Sequence, residues 1–340
     1  MKKIMKLCCM VMMLAVLGMG ILTGCGGNTQ ESEQTAQTNE TMKVGIIQFM
    51  PHSSLDNCTQ GVKNALDAQG IAYDVQIGSS SSAADDCQNY AANMVASGDY
   101  DMLIAVATPA ATAAYSAVRS ASSDIPVIFC AVSAPEEAGL VQSLETPGNN
   151  CTGTKDVFDI PSQVAMIQAL QPELTQLGVL YTTSEANSLA QLETLKEECA
   201  KVGIEVVEAG ITDATELPAA VASLLPNVQA VTNLTDNNVV DNMSTLLEQA
   251  AAKQIPVYGS EIEQCLKGCI AAASIDYVAL GETTGNMAIN VLNGADAATT
   301  SVVEVLESTP VINTDVLSAY GITLPEAYAD AEMVTTTAAE

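Results

Sequence analysis

Short aliphatic runs alternate with amphipathic segments along most of the chain, and the same series occurs twice. Each half contains a buried strand, a helix of ordinary length and a glycine that ends the helix. In both halves the strand glycine and the glycine after the helix lie 25 residues apart. The matching segments are the strands Val44–Ile47 and Gly178–Tyr181, the helices Leu55–Ala68 and Leu189–Ala200, and the glycines Gly70 and Gly203.

The correspondence continues through the later strands. Met102–Val106 in the first half matches Val228–Val231 in the second, and an Ile-Pro-Val sequence begins at residue 125 and again at residue 255. Strands that alternate with helices of about 10 to 15 residues are typical of parallel sheets flanked by helices. The sequence therefore predicts an α/β fold with two doubly wound parallel-sheet lobes joined by a hinge.

The residues after Gly268 predict too little structure for a third lobe. They contain one strand, one helix over Tyr277–Leu292 and an extended tail. We therefore expect the chain to cross between the lobes near residues 155–161, 272–276 and 309–313. The expected division is residues 42–157 with 274–310 for lobe 1, 158–273 with 311–330 for lobe 2, and 331–340 for the tail.

The amino terminus predicts export and lipid attachment. Three lysines precede an uncharged apolar run of about 16 residues, shorter than the ~20 that a membrane-spanning helix needs. The run ends at Leu22-Thr23-Gly24-Cys25, which is typical of a lipoprotein signal peptide. We expect residues 1–24 to be removed, Cys25 to be lipidated, and residues 25–41 to tether the protein to the outer face of a bacterial cell membrane.

The charge of the chain excludes several classes of function. Without the signal peptide, eight Lys and Arg face forty Asp and Glu, a formal charge of −32. Nucleic acids are poor partners for such a protein, and we expect none. There is one histidine, and no dinucleotide, phosphate-loop or nucleophile-elbow motif occurs, so we expect no cofactor, no metal and no enzymatic activity. A surface hydrolase that uses His52 is the enzymatic alternative.

Seven cysteines remain besides Cys25, an odd number that cannot all pair within one chain. Their spacings match no compact disulfide framework. We expect thiols that are mostly free or partly paired. Cys265 and Cys269, four residues apart on an expected helix, also suit two buried small side chains.

Polar residues follow several of the expected strands. Ligands of open parallel sheets bind beyond the carboxyl ends of the strands, so these residues are the candidates for a binding site. They are Gln48, His52, Asp56, Thr108, Ser133, Ser184, Glu185, Asn187, Thr235, Asp236, Glu261 and Asp276.

Two interpretations of these candidates stay open. Helix N-termini and hydroxyls from both lobes would hold a ligand carboxylate, and the acidic candidates would pair with a ligand ammonium. Alternatively, each residue only caps a helix; Thr108 before Pro109, and Ser260 with Glu263, match capping patterns. His52 is either a ligand contact or a solvent-exposed loop histidine.

Six segments together resemble the ABC-transporter substrate-binding lipoproteins of the tryptophan/tyrosine type. They are Val44–Gln48 with His52 and Leu55-Asp56, Ala107–Ala110, Ile125–Phe129, Pro147–Gly153, Gly178–Tyr181 with Glu185–Ser188, and Asp276–Gly281. The resemblance spans residues 43 to about 328.

The resemblance implies a periplasmic-binding-protein fold of type I that closes around one small solute. The solute would be amino-acid-like, with aromatic amino acids among the candidates, and would pass to an ABC permease driven by a cytoplasmic ATPase. Because the chain lacks Trp, stacking on an aromatic ligand would fall to Phe49, Tyr181 or another tyrosine. The alternative is a sensory receptor that passes ligand occupancy to a membrane signalling protein.

Overall fold

The computed structural model describes residues 42–306 and 308–337. The expected signal peptide, Cys25 and the tether therefore lie outside the described residues. Within these residues the chain forms thirteen β-strands and eleven α-helices.

The strands are β1 (Lys43–Gln48), β2 (Ala72–Ile77), β3 (Met102–Val106), β4 (Val127–Cys130), β5 (Cys151–Asp156), β6 (Gln176–Thr182), β7 (Glu205–Ile211), β8 (Ala230–Thr232), β9 (Val257–Tyr258), β10 (Ala271–Ser274), β11 (Val303–Val305), β12 (Thr309–Asn313) and β13 (Glu332–Val334). The helices are α1 (Ser53–Gln69), α2 (Ala83–Ser97), α3 (Thr108–Ser120), α4 (Ile160–Leu170), α5 (Ala186–Lys201), α6 (Leu217–Leu224), α7 (Asn237–Asp241), α8 (Met243–Ala252), α9 (Ile262–Lys267), α10 (Tyr277–Leu292) and α11 (Thr314–Ala319).

Lobe 1 contains a six-stranded parallel sheet in the order β11-β5-β4-β3-β1-β2. The chain moves outward from β1 to β2 and then reverses past β1 to β3. With right-handed crossovers, this reversal sets α1 and α2 on opposite faces of the sheet. The central strand β3 is completely buried, as expected for a strand covered on both faces. The predicted α/β fold with parallel sheets is confirmed.

Lobe 2 contains a parallel sheet in the order β7-β6-β8-β9, and backbone hydrogen bonds join β9 to β10. Beyond β10 the sheet is mixed, because β12 is antiparallel to β10 and β13 is parallel to β12. The expectation of a wholly parallel sheet is therefore wrong at this edge. The chain leaves lobe 2 after β10 and returns through β12 from the opposite direction, which makes this pair antiparallel.

The chain passes between the two lobes three times. Phe158 belongs to the core of lobe 2, whereas Tyr277 packs in the core of lobe 1 and Val311 again in lobe 2. The segment 309–313, expected to be a crossing, forms β12 inside lobe 2, so the third crossing lies just before it. The sequence predicted a tail from residue 331 onward, but residues 332–334 form β13, which pairs with β12 at the edge of the lobe 2 sheet.

Helices α1 and α10 approach each other closely at glycines. A Cβ atom added to Gly281 would lie 2.1 Å from the carbonyl oxygen of Cys58, and one added to Gly61 would lie 2.1 Å from the carbonyl oxygen of Val278. No side chain fits at either position without separation of the helices. The contact fixes the N-terminus of α10, which arrives from lobe 2, against α1 of lobe 1.

The seven cysteines of the described residues are all buried thiols, and none forms a disulfide within that part of the chain. Cys265 and Cys269 both have no exposed surface, which fits their use as small core side chains. None of the helices in residues 42–306 and 308–337 is both long and apolar enough to cross a membrane.

We expect Gly281→Ala to destabilise the protein by about 2 kcal/mol, because the added methyl group overpacks the α1–α10 contact. Urea denaturation measures the free energy of unfolding. Asn290→Ala is the matched control, since Asn290 is exposed on the same helix and should change stability by no more than about 0.5 kcal/mol. Equal stability of the Gly281→Ala variant and the wild type would contradict this account of the contact.

Candidate ligand-binding site

A cavity lies between the two lobes, beyond the carboxyl ends of their parallel strands. Ligands of α/β folds with open parallel sheets typically bind at this position. Seven of the twelve candidates from the sequence line it: His52, Thr108, Ser133, Asn187, Thr235, Asp236 and Glu261. Six further polar residues line it as well: Ser54, Asp156, Asn237, Ser260, Gln264 and Tyr277.

Gln48 and Asp56 do not line the cavity. The buried Gln48 amide donates to the carbonyl oxygen of Met50 over 2.8 Å and to the carboxylate of Asp56 over 2.7 Å, and it accepts from the Thr59 hydroxyl. These bonds fix the loop from β1 to α1. Gln48 therefore positions His52 through the backbone.

Asp276 and Ser184 are both exposed and lie outside the cavity. The Asp276 carboxylate accepts hydrogen bonds from the backbone N–H groups of Val278 and Ala279, at 2.9 and 3.0 Å, and so caps α10. This is the capping role that the sequence left open for it. Its neighbour Tyr277, not Asp276, faces the cavity.

Glu185 is buried just outside the cavity and orders its wall. Its carboxylate accepts from the backbone and side-chain amides of Asn237, at 3.1 and 2.6 Å, and from the side chain of Asn187 at 3.2 Å. Burial, with a smaller effect of the nearby Asp236 carboxylate, raises the pKa of Glu185. Two cavity-lining asparagines thus depend on one buried acid.

Asp236 lines the cavity but already has four donors within its own lobe. It accepts from the backbone and hydroxyl groups of Thr182, the Ser188 hydroxyl and the backbone N–H of Val239. Such a fully bonded carboxylate caps α7 and fixes the end of β6. It is the least suited of the lining acids to bind a ligand ammonium.

Thr108 does not cap its helix, contrary to one reading of the Thr-Pro pair. Helix α3 already includes Thr108, the preceding position is occupied by Ala107 with a φ of 81°, and the buried Thr108 hydroxyl has no partner. A positive φ in a non-glycine residue is strained and often found at functional sites. The strained turn leaves the Thr108 hydroxyl without a partner at the cavity, at the start of α3.

The Ser260–Glu263 capping box is also absent. The side chain of Gln264 bonds to both the backbone N–H and the hydroxyl of Ser260, at 3.2 and 2.8 Å. Glu263 instead accepts a hydrogen bond of 2.7 Å from Asn57 of the other lobe. A residue that the sequence pattern assigned to a local turn therefore contributes to the contact between lobes.

Asp156 and Glu261 are the lining carboxyls best suited to a ligand cation. Both are almost fully buried. Burial raises the pKa of Asp156 to about 7, although the Ser133 hydroxyl at 2.9 Å opposes the shift. Burial, aided by the Glu263 charge, raises the pKa of Glu261 to about 7. A bound ammonium would stabilise their ionised forms.

Polar contacts between the lobes surround the cavity. His52 Nε2 lies 3.2 Å from Asn237 Oδ1, and the Ser133 and Thr235 hydroxyls are 3.3 Å apart. Ser54 donates to the Glu261 carboxylate. The structure is therefore a closed arrangement in which both lobes contribute to one site.

The sequence missed Asp156 because it was assigned to a hinge; it is in fact the last residue of β5. Three other lining residues lie within two positions of a candidate that the sequence named: Ser54, Asn237 and Tyr277. What the sequence did not predict is which side of each helix faces the cavity. The apolar part of the wall consists of Leu55, Ala107, Ala131 and Val240. Phe49 and Tyr181, named as stacking candidates, do not line the cavity, whereas Tyr277 does.

Residues 43–334 of this chain match the model of a protein family whose description is "ABC transporter substrate binding protein". The chain belongs to that family. The match agrees with the resemblance noted in the sequence. Substrate-binding proteins of ABC transporters are extracytoplasmic, and the family is not a class of enzymes.

This substrate-binding protein is similar in sequence and structure to several relatives whose ligands are named. It is 35% identical over 328 residues to the tyrosine-binding protein of Clostridioides difficile, an alignment that covers 94% of this chain and 92% of the relative. The ABC domain of Streptococcus pneumoniae, solved in complex with L-Trp, has a TM-score of 0.82 and 31% identity. That match covers 86% of this chain and all of the other.

A ligand-free, open structure of a substrate-binding protein with adhesive properties from Clostridium difficile matches less well. It is 33% identical and covers 87% of this chain and all of its own, but its TM-score is 0.64. Sequence identity does not explain the lower score, since the L-Trp complex is no more similar in sequence. The arrangement of the lobes in this substrate-binding protein is thus nearer to the ligand-bound relative.

We expect Asp156→Asn to change how stability depends on pH. The folded-state pKa, about 7, lies above the ordinary value of 3.8, so the stability contributed by the neutral carboxyl is fully present below pH ~4. It is lost as the pH rises toward 7, at about 1.4 kcal/mol per pH unit. Chemical denaturation of ligand-free protein at pH 5, 6 and 7 should show the wild type losing stability relative to the variant; parallel curves would contradict the assignment.

Proposed function

We propose that this protein is the receptor of an ABC importer for amino acids, and that an aromatic amino acid is its ligand. The observation that carries the proposal is the chemistry of the cavity. The cavity offers the unpartnered Thr108 hydroxyl at the start of α3 and the buried carboxyls of Asp156 and Glu261, and no Lys or Arg lines it among the described residues. This set complements a zwitterion, which has one anionic and one cationic group.

Each part of an amino acid has a natural place in this arrangement. The α-carboxylate would accept from the Thr108 hydroxyl and from N–H groups at the start of α3. The α-ammonium would lie against Asp156 and Glu261. An apolar or aromatic side chain would contact Leu55 and Tyr277, which line the same cavity.

The relatives support the choice of ligand class. One is named a tyrosine-binding protein, and another was solved with L-Trp. Both are more than 30% identical to this chain across most of its length. Three chain crossings join the lobes, and the residues that follow them pack in the core of the lobe that the chain enters: Phe158, Tyr277 and Val311. Closure of the lobes around the ligand would give the permease a form that it can distinguish from the empty receptor.

The proposed partners follow from this role. A membrane permease with a cytoplasmic ATPase would receive the ligand, and diacylglycerol on Cys25 would hold the receptor at the outer face of the membrane. The proposal includes no covalent chemistry on the ligand. The lobe boundaries that go with it lie just before Phe158, between β10 and α10, and between β11 and β12.

Isothermal titration calorimetry of the purified full chain with tyrosine, tryptophan and phenylalanine tests the proposal. We expect at least one of them to bind with a one-to-one stoichiometry, and glucose and ribose not to bind. Thr108→Val should weaken amino-acid binding about 10- to 100-fold, the range for a lost hydrogen bond to a charged group.

Thr112→Val is the matched control for Thr108→Val. Thr112 lies one turn further along α3, donates to the carbonyl oxygen of Thr108 over 3.0 Å, and does not line the cavity. Binding only by sugars, or no binding by any amino acid, would refute the proposed function. Equal losses in the two variants would refute the role of the Thr108 hydroxyl.

We expect Cys25→Ala to abolish lipid attachment, because the thiol of Cys25 is the expected acceptor of the diacylglycerol group. Growth of a bacterial host with an alkyne-labelled fatty acid should label the wild type and leave it in the membrane fraction. Cys9→Ala is the control, because Cys9 lies within the expected signal peptide and should leave the label unchanged. Labelling of the Cys25→Ala protein would contradict the expected anchor.

A further inference from the structure

Besides the Thr108 hydroxyl, two buried polar atoms at the cavity have no hydrogen-bond partner. They are Nδ1 of His52 and Oδ1 of Asn187, and both residues line the cavity. Buried polar atoms in folded proteins almost always have a partner, so an unpartnered acceptor at a binding site indicates a donor from outside the chain. The hydrogen bonds that each residue makes determine whether its unpartnered atom is a donor or an acceptor.

The tautomer of His52 follows from the orientation of Asn237. The Asn237 side-chain amide donates to Glu185 Oε2 over 2.6 Å, and the backbone N–H of Asn237 donates to the same oxygen over 3.1 Å. Because Glu185 Oε2 already accepts from this backbone N–H, we assign the Asn237 amide nitrogen as its second donor. This places Asn237 Oδ1 against His52 Nε2 and assigns the hydrogen of that 3.2 Å contact to Nε2. Burial lowers the pKa of His52, so the ring is neutral at pH 7 and Nδ1 has a free lone pair.

The orientation of Asn187 is fixed in the same way. Its amide nitrogen donates to the carbonyl oxygen of Thr235 over 2.9 Å and to Glu185 Oε2 over 3.2 Å. Its oxygen is thus left as an acceptor. His52, Asn187, Asn237 and Glu185 form one hydrogen-bonded cluster in which both free atoms accept hydrogen bonds and neither belongs to a charged group.

The two carboxyls that we propose to bind the ligand's ammonium group belong to other hydrogen-bonded clusters. Asp156 bonds to Ser133, and Glu261 bonds to Ser54 and Gln264. A charged ammonium is attracted more strongly to these carboxyls than to a neutral imidazole. The acceptors of the His52 cluster therefore suit a second, neutral donor on the ligand, such as a phenol O–H or an indole N–H.

We propose that His52 Nδ1, together with Asn187 Oδ1, accepts a hydrogen bond from a donor in the ligand's side chain and so selects side chains that have such a donor. This inference rests on the proposed amino-acid function of the same cavity. A site built to bond a side-chain donor rejects analogues that lack it, because its buried acceptor is then unpaired. His52 is in this respect a specificity-determining residue.

The test compares pairs of ligands that differ at the donor. Titration calorimetry gives dissociation constants for tyrosine against phenylalanine, and for tryptophan against 1-methyltryptophan. In the wild type, we expect at least one pair to show about tenfold tighter binding of the member with the donor, as for a buried acceptor left unpaired. This comparison needs no variant and so does not depend on the folding of one.

His52→Gln then tests the residue itself. The amide nitrogen of Gln can occupy the position of Nε2 and keep the hydrogen bond to Asn237, but nothing replaces Nδ1. We expect the ratio of dissociation constants within the discriminating pair to fall below about threefold. Asn57→Ala is the control, because it removes a contact between lobes outside the cavity and should weaken both members equally.

The outcomes are distinct. Ratios near one for both pairs in the wild type, or a ratio that persists in His52→Gln, would overturn the role of His52 while amino-acid binding itself stood. A ratio that falls equally in Asn57→Ala would overturn it too, since weaker closure would then explain the loss. Failure of all four ligands to bind would overturn the proposed function and this inference with it.

Discussion

The glycine contact between α1 and α10 is the constraint on which the site depends. Helix α10 begins directly after the chain leaves lobe 2, and Tyr277, its first residue, lines the cavity. Helix α1 begins beside His52 and Ser54, which line the same cavity. Because Gly61 and Gly281 let the two backbones touch, the side chains at the two N-termini have fixed relative positions. A separation of the helices by one methyl group would move both.

A buried site without cations needs another means of stabilising charge. The protein has one arginine, Arg119, and it lies at the far end of α3 from the cavity. Helix N-termini and hydroxyls can stabilise an anion without a counter-ion whose own burial would be costly. Below pH 7 the carboxyls are mostly neutralised by protons instead, because burial raises the pKa of Asp156 and Glu261 to about 7. A ligand cation at these carboxyls would therefore take the place of a proton.

Much of the fold could be predicted from the sequence, because hydrophobic period and glycine positions determine it locally. Helix α10 has the predicted bounds, Tyr277–Leu292, and β3 the predicted bounds, Met102–Val106. The mixed edge of lobe 2 could not be predicted, since the direction of β12 depends on where the returning chain enters. No local pattern distinguishes β13, a three-residue strand, from a tail.

Most of the polar residues that line the cavity lie at or within two residues of a position that the sequence named as a candidate, but Asp156 and Gln264 do not. Position after a strand selected the right turns, but whether a side chain faces the cavity or its own helix depends on where the helix begins. Thr108 shows the difference: the Thr-Pro pair predicts a cap, yet α3 starts one residue earlier than that pattern requires, and the hydroxyl is left free.

The contacts between the lobes explain why closure would depend on a ligand. They are hydrogen bonds between neutral or singly charged groups, each with a net contribution of about 1 kcal/mol. Asp156 and Glu261 are buried in the closed form, and their ionised forms destabilise it above pH 7. A ligand that supplies both a cation for these carboxyls and an anion for the start of α3 adds bonds in each lobe at once. The proposed zwitterionic ligand would therefore stabilise the closed form beyond what the protein's own contacts contribute.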